Sequence, residues 1–118
     1  MIRARRRSDN QSVAIKRMAH TDPRDQGNNL REVGLLRLAS AAHHPNINRF
    51  VEALCFEDTL LLVMECVDGL TLLDFVETNG TCSTPLVATV AYQTLQGLSH
   101  LHSINLGKKQ IQIIFLEI

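Results

Sequence analysis

The run from Leu60 to Cys66, LLLVMEC, is apolar at every position except Glu65. A strand with one wet face alternates polar and apolar residues, so this run predicts a central strand buried on both faces. Such a strand needs neighbours. Upstream, Ile47 to Phe56 mixes polar and apolar residues as a strand exposed on one face does, and Glu57-Asp58-Thr59 makes a tight turn between the two. Together they predict an antiparallel hairpin. Near the start, Ser12 to Met18 alternates Val13 and Ile15 with Ala14 and Lys16, which is a third strand signal.

Between the first strand and the hairpin lies HTDPRDQGNN, read as a loop punctuated by Pro23 and Gly27. LREVGLLRLASAA follows, with Leu30, Val33, Leu36 or Leu35, and Leu38 or Ala39 recurring at helical spacing. HHPNI ends that helix, because the residue before Pro45 is pushed out of helical geometry. After the hairpin, Asp68-Gly69 stops the strand, and a short helix from about Leu72 to Glu77 closes at Gly80. Ser83 caps the longest helix and Pro85 sits in its first turn. It runs to about His102, with Val87, Val90, Ala91, Leu95, Leu98 and Leu101 on one stripe. The expected fold class is α+β: a small antiparallel sheet with one helix, joined by a single segment to helical structure.

Charge narrows the function classes. Lysines and arginines balance aspartates and glutamates at 12 each, which argues against a general nucleic-acid or membrane-surface binder. The local exception is Arg3, Arg5, Arg6 and Arg7, either a targeting or phosphate-contacting tail or a solvated, frayed segment. Cys55, Cys66 and Cys82 stand apart without a C-x-x-C pair, as free thiols of a reducing compartment do. His43 and His44 are adjacent, point different ways and suit a loop better than a metal. No stretch approaches the roughly 20 apolar residues of a membrane helix, and MIRARRRSDN lacks a signal-peptide core. A cytoplasmic or nuclear location is expected.

Four segments then combine: VAIK at Val13–Lys16, LREVGLLRLASAAHHPNI, LLLVMECVDGLTLLDFV and YQTLQGLSHLHS. In this order and spacing they resemble a eukaryotic protein kinase domain, most similar to the sterile-20-like and p21-activated Ser/Thr kinases, over about Ala4 to Ser103. The resemblance implies a partial kinase-like fold, with ATP as phosphoryl donor, magnesium, and protein hydroxyls as acceptors. It divides the chain into a basic remnant of the second strand at 1–11, small lobe and hinge at 12–67, the start of the helical lobe at 68–103, and an unrelated tail at 104–118.

It also implies residue roles. Lys16 would reach the α- and β-phosphates, and Glu32, sixteen residues on, would orient it. An ammonium on a four-carbon stem is floppy, and a carboxylate partner fixes it and keeps it charged. The alternative for Glu32 is a capping box with Asn29, which the spacing permits if the helix starts there; the resemblance implies an earlier start, near Asp25, with which that alternative fails. MECVDG resembles the hinge: Met64 would be the gatekeeper, the Glu65 carbonyl and Val67 backbone would meet adenine, Ala14 would roof the pocket, and Thr71 would lie near ribose. Core packing accounts equally for Met64 and Ala14. Leu36 and Phe50 match positions that pack between helix and sheet.

Three parts of the family's pattern are missing. No glycine precedes Gly27, so the glycine-rich loop expected before Lys16 is absent. After LSHLHS the chain runs INLGKKQIQIIFLEI, without His-Arg-Asp or Asp-Phe-Gly. No aspartate follows Asp74, and Glu117 is the only carboxylate side chain beyond Glu77. The expectation is a chain with no catalytic residue and no magnesium ligands, inactive in phosphoryl transfer by itself. Alternatives are a non-catalytic interaction module that binds a kinase or regulator, or a weak nucleotide-binding remnant. QIQIIFLEI has the profile of an aggregation-prone window. With few partners for the long helix's apolar stripe, self-association or dependence on a partner is expected.

Overall fold

The computed structural model describes residues 1–41 and 43–106. Its elements are β1 (Ile2–Arg5), β2 (Ser12–Ala19), α1 (Pro23–Ser40), β3 (Phe50–Phe56), β4 (Thr59–Glu65), α2 (Leu72–Asn79) and α3 (Thr84–Ser103). The strands form one antiparallel sheet in the order β1-β2-β4-β3. The apolar run has become β4, an inner strand, and its Leu60, Leu62, Val63 and Met64 are all buried. Leu60 and Leu62 pack with Leu36 and Ala39 of α1, Ile47, Leu101 of α3 and Leu106 into one core, with Met18, Val33, Phe50 and Ala53 against it. The fold is α+β, a small sheet with α1 on one face and two further helices, consistent with part of a kinase-like domain.

Three boundaries differ from the sequence reading. α1 begins at Pro23, not Leu30. The Asp22 carboxylate accepts the Asp25 N–H at 2.8 Å, and Pro23 in the first turn has no N–H to waste. The segment read as a loop is the helix's opening turns, and Gly27 lies inside it with open space where a Cβ would be. Asn29 is therefore mid-helix: it is buried, and its Nδ2 donates to the Ala19 carbonyl at 2.6 Å, tying α1 to the end of β2. The capping-box alternative for Glu32 falls with it. On α1's apolar side Leu36 and Ala39 are buried, whereas Leu30 and Leu38 face outward. β3 begins at Phe50 rather than Ile47, because Ile47 is drawn into the core from the preceding loop.

The N-terminal basic segment is not frayed. β1 pairs with β2, and the turn after it is held by Arg6 on Asp9 and by the Gln11 N–H donating to the Asp9 carboxylate at 3.1 Å. Arg3 reaches Asp68 at 2.8 Å. α2 starts and stops on local signals, a Thr71/Asp74 capping box and Gly80 at φ 82°. α3 runs from its Ser83 cap as expected, but the stripe is turned. Leu101 is fully buried while Val87 and Leu95 are exposed, since only the last turns of α3 reach the core. The aggregation-prone window QIQIIFLEI lies outside the described residues.

Candidate functional site

Strand register places the expected lysine. Side chains alternate along a strand, and cross-strand partners share a face. Ala14 pairs with Met64, Lys16 with Leu62, and Met18 with Leu60. Ala14, Lys16 and Met18 therefore share the core-side face of β2, where Met18 packs against the core beside α1. Lys16 is the cation of that row. The early start of α1 sets Glu32 within the helix body, and its Oε1 lies 2.9 Å from Lys16 Nζ. Both side chains are 37% exposed. A half-open pair of this kind contributes at most about 1 kcal/mol, so its main consequence is geometric: a mobile ammonium is held against α1 on the core-side face of β2.

The connector residues fall into distinct surroundings. Met64 is buried between Ala14 on β2 and Phe50 on β3. Its sulfur lies 3.9 Å from the Asn48 amide nitrogen, while among the described residues the Asn48 Oδ1 is buried without a hydrogen-bond partner. An orphaned acceptor costs about 1–3 kcal/mol, and sequence reasoning gave no sign of it. Glu65 is clamped to the loop before β3: its N–H donates to the Arg49 carbonyl at 2.9 Å, and its carboxylate accepts the Arg49 N–H at 2.7 Å. Val67 is exposed in the extended link to α2. Thr71 is engaged locally, its hydroxyl donating to Asp74 at 2.6 Å and accepting the Asp74 N–H at 3.0 Å. That hydroxyl, then the Thr71 amide, hold the Asp74 carboxyl below the usual carboxylate range.

The structure thus joins Lys16 to Glu32 and Ala14 to Met64. A cavity of about 500 Å³ touches Glu65 and Val67 on the connector, but its other wall is the α1–β3 loop, including His43, His44 and Arg49. Ala14, Lys16, Met64 and Thr71 do not line it. This space lies behind the connector, and sequence reasoning missed it. Its signal was HHP, read as a loop with no further role. Among the described residues no group of three or more His, Cys, Asp or Glu side chains could hold a metal ion.

The family profile described as "Protein kinase domain" matches residues 1–109. The chain is 33% identical over 104 residues to "Probable serine/threonine-protein kinase mkcC" of Dictyostelium discoideum, covering 88% of this chain and 11% of that protein. It is 32% identical over 109 residues to "Serine/threonine-protein kinase shk1/pak1" of Schizosaccharomyces pombe, with coverage of 92% and 16%. With "Serine/threonine-protein kinase pak-2" of Caenorhabditis elegans it shares 36% identity over 96 residues, 81% of this chain and 18% of the relative. The chain spans less than a fifth of each of these relatives. The chain belongs to the protein kinase domain family, as a segment similar to its sterile-20-like and p21-activated members.

Proposed function

We propose that this chain is the adenine-nucleotide-holding part of a Ser/Thr protein kinase domain. Lys16 meets the α- and β-phosphates, Glu32 keeps its ammonium in place, Ala14 and Met64 bound the adenine, and the Glu65 carbonyl and Val67 backbone pair with it. Thr71 is the weakest member, since its hydroxyl already has two partners in its own turn. The single observation that carries the proposal is the 2.9 Å contact between Lys16 and Glu32. A lone lysine would sample many rotamers, and pre-orientation reduces the ordering cost when phosphate arrives. ATP supplies the phosphoryl group in the reaction so proposed, and a protein hydroxyl receives it. Within these 118 residues no aspartate follows Asp74. Holding nucleotide, rather than turnover, is therefore assigned to them, and the cytoplasm is the compartment proposed. No helix among the described residues is long and apolar enough to cross a membrane.

Thermal shift tests this directly. ATP at about one hundred times its dissociation constant adds roughly 2.7 kcal/mol to a protein that binds it only when folded. ATP is expected to raise the melting temperature of the wild-type chain, with the increment lost in Lys16→Ala and reduced in Glu32→Gln. Equal increments in wild type and Lys16→Ala, or none in either, would sink the assignment.

A second reading, an interaction module for a kinase, a regulator or another copy of the chain, has its own observation. Val87, Tyr92 and Leu95 on α3, with Leu73 on α2, are large apolar side chains at least half exposed. Sedimentation of the 118-residue chain distinguishes the two. A concentration-independent monomer that recovers no partner in pull-down removes the second reading.

A further inference from the structure

We propose that His44 and His100 form a proton-sensitive clasp, which holds the α1–β3 loop to the last turns of α3 and releases it in mild acid. The clasp is independent of whether nucleotide binds. The two imidazoles are stacked, with centroids 4.8 Å apart and planes at 27°. Each ring is also tied to backbone. His44 Nδ1 lies 3.0 Å from the Asn46 N–H, which can only donate, so that nitrogen is the acceptor and the neutral ring carries its proton on Nε2. His100 Nε2 lies 3.3 Å from the Ala39 carbonyl, which can only accept, so that nitrogen donates. Loop, α1 and α3 thus meet at one pair of rings.

Protonation undoes this arrangement in two ways. A proton added to His44 goes to Nδ1, the atom that accepts from Asn46, and removes that bond. It also gives the ring a positive charge that repels any charge on its stacked neighbour. The groups facing His44 do not offset this. On its own loop stand His43 and Arg49. Across the cavity are Glu65, Cys66 and Asp68, and α3 presents His100. The Glu65 carboxylate is taken by the Arg49 N–H, and that of Asp68 by Arg3. Burial first, and the nearby His100 second, hold His44 below the ordinary imidazole value.

The direction follows from linkage. A group depressed in the folded state contributes fully above its unfolded value, about pH 6.5 for imidazole, and its contribution is lost as pH falls toward the lower folded value. The clasp therefore holds at neutral pH and yields in mild acid. Because the same loop walls the cavity behind Glu65–Asp68, its release also frees one side of the connector.

Hydrogen exchange on the full 118-residue chain, corrected for intrinsic rates, tests the clasp between about pH 7.5 and pH 5.5. His100→Phe keeps a stacked ring without the charge. His44→Asn keeps a side-chain acceptor two residues before Asn46 without titrating. In the wild type, protection of residues 43–49 and 97–103 is expected to fall together; His44→Asn is expected to stay flat, and His100→Phe, which keeps the His44–Asn46 bond and its titration but not the paired charge, to show a smaller fall. Wild-type protection that ignores pH, or a loss that persists undiminished in His44→Asn, overturns the proposal. Should either variant fail to fold, an imidazole NMR titration of the wild type decides: His44 titrating below about 6.5 supports the clasp, and titrating at or above it overturns the clasp.

Discussion

The sheet with α1 and the segment carrying α2 and α3 are stabilised by different physics. In the first, β4 buries Leu60, Leu62, Val63 and Met64, and α1 adds Leu36 and Ala39. In the second, α2 buries no residue and α3 buries Gly97 and Leu101. Yet α2 and α3 are clean helices, begun by a capping box and a Ser83 cap and stopped by Gly80 or loss of pattern. Local signals are enough to start and stop a helix, but packing of an apolar face is what anchors one. The helical half is well formed and thinly attached, through Leu101, Leu106 and the His44–His100 stack.

The largest expected effect tests that contrast. Leu62→Ala and Leu101→Ala remove the same atoms from equally closed sites, each 0% exposed, and such truncations cost about 2–5 kcal/mol. Leu62→Ala is expected to lower the global denaturation midpoint severely, against a domain total of about 5–15 kcal/mol. Leu101→Ala is expected instead to release α3, so exchange protection falls at residues 97–106 while β2 and β4 keep theirs. If Leu101→Ala exposes β4 as fully as Leu62→Ala does, the two regions are one cooperative unit and the comparison fails.

Caps give a smaller, sharper version. Losing an N-cap costs about 0.5–2 kcal/mol. Asp22 caps α1, whose Leu36 and Ala39 lie in the core, and Thr71 caps α2, which buries nothing. Asp22→Ala is expected to shift the global midpoint, whereas Thr71→Ala should cost helical circular dichroism signal and leave the midpoint in place. Equal midpoint shifts would mean that α2 is coupled to the core as tightly as α1.

How far each region was legible in the sequence follows the same division. The β4 run and the hairpin could be read because burial on both faces leaves a pattern that no loop imitates. Lys16 and Glu32 could be paired because the resemblance to a kinase domain implied the pair, with VAIK and LREVGLL standing at its spacing. The start of α1 was misread because Pro23 and Gly27 were taken as breakers. Asp22-Pro23 with Asp25 three residues past the cap is a helix start, and Asn29 is buried for a tertiary reason, its bond to Ala19. The α3 stripe was misread because periodicity defines a face without naming its partner, and among the described residues Leu101 is the member of the stripe that joins the core. The cavity behind the connector left only HHP as a signal, and the His44–His100 stack left no local signal of the partner helix. The cavity joins the α1–β3 loop to the connector, whereas the stack joins that loop to a helix more than fifty residues away, and the bond from His100 back to Ala39 spans 61 residues.

Acid titration yields the smallest expected effect and places the two regions in order. The Asp9 carboxyl in the β1–β2 turn is held down to about 2, by the Arg6 guanidinium first and the Gln11 N–H second. Its folded value is depressed, so its contribution is intact above the ordinary carboxylate range and is lost as pH falls from about 4 toward 2. The group lies at the surface in an exposed turn, which keeps that contribution small through solvent screening. The clasp on α3 yields at far milder acidity, where a carboxylate such as Asp9 is still ionised. On acidification, protection at residues 97–103 is therefore expected to fall first, and the β1–β2 pairing only near the bottom of the titration. Asp9→Asn should remove the lower step without touching the upper one. A single acid transition in which β1 and α3 lose protection together, unchanged by Asp9→Asn, would show that one network of charges spans both regions.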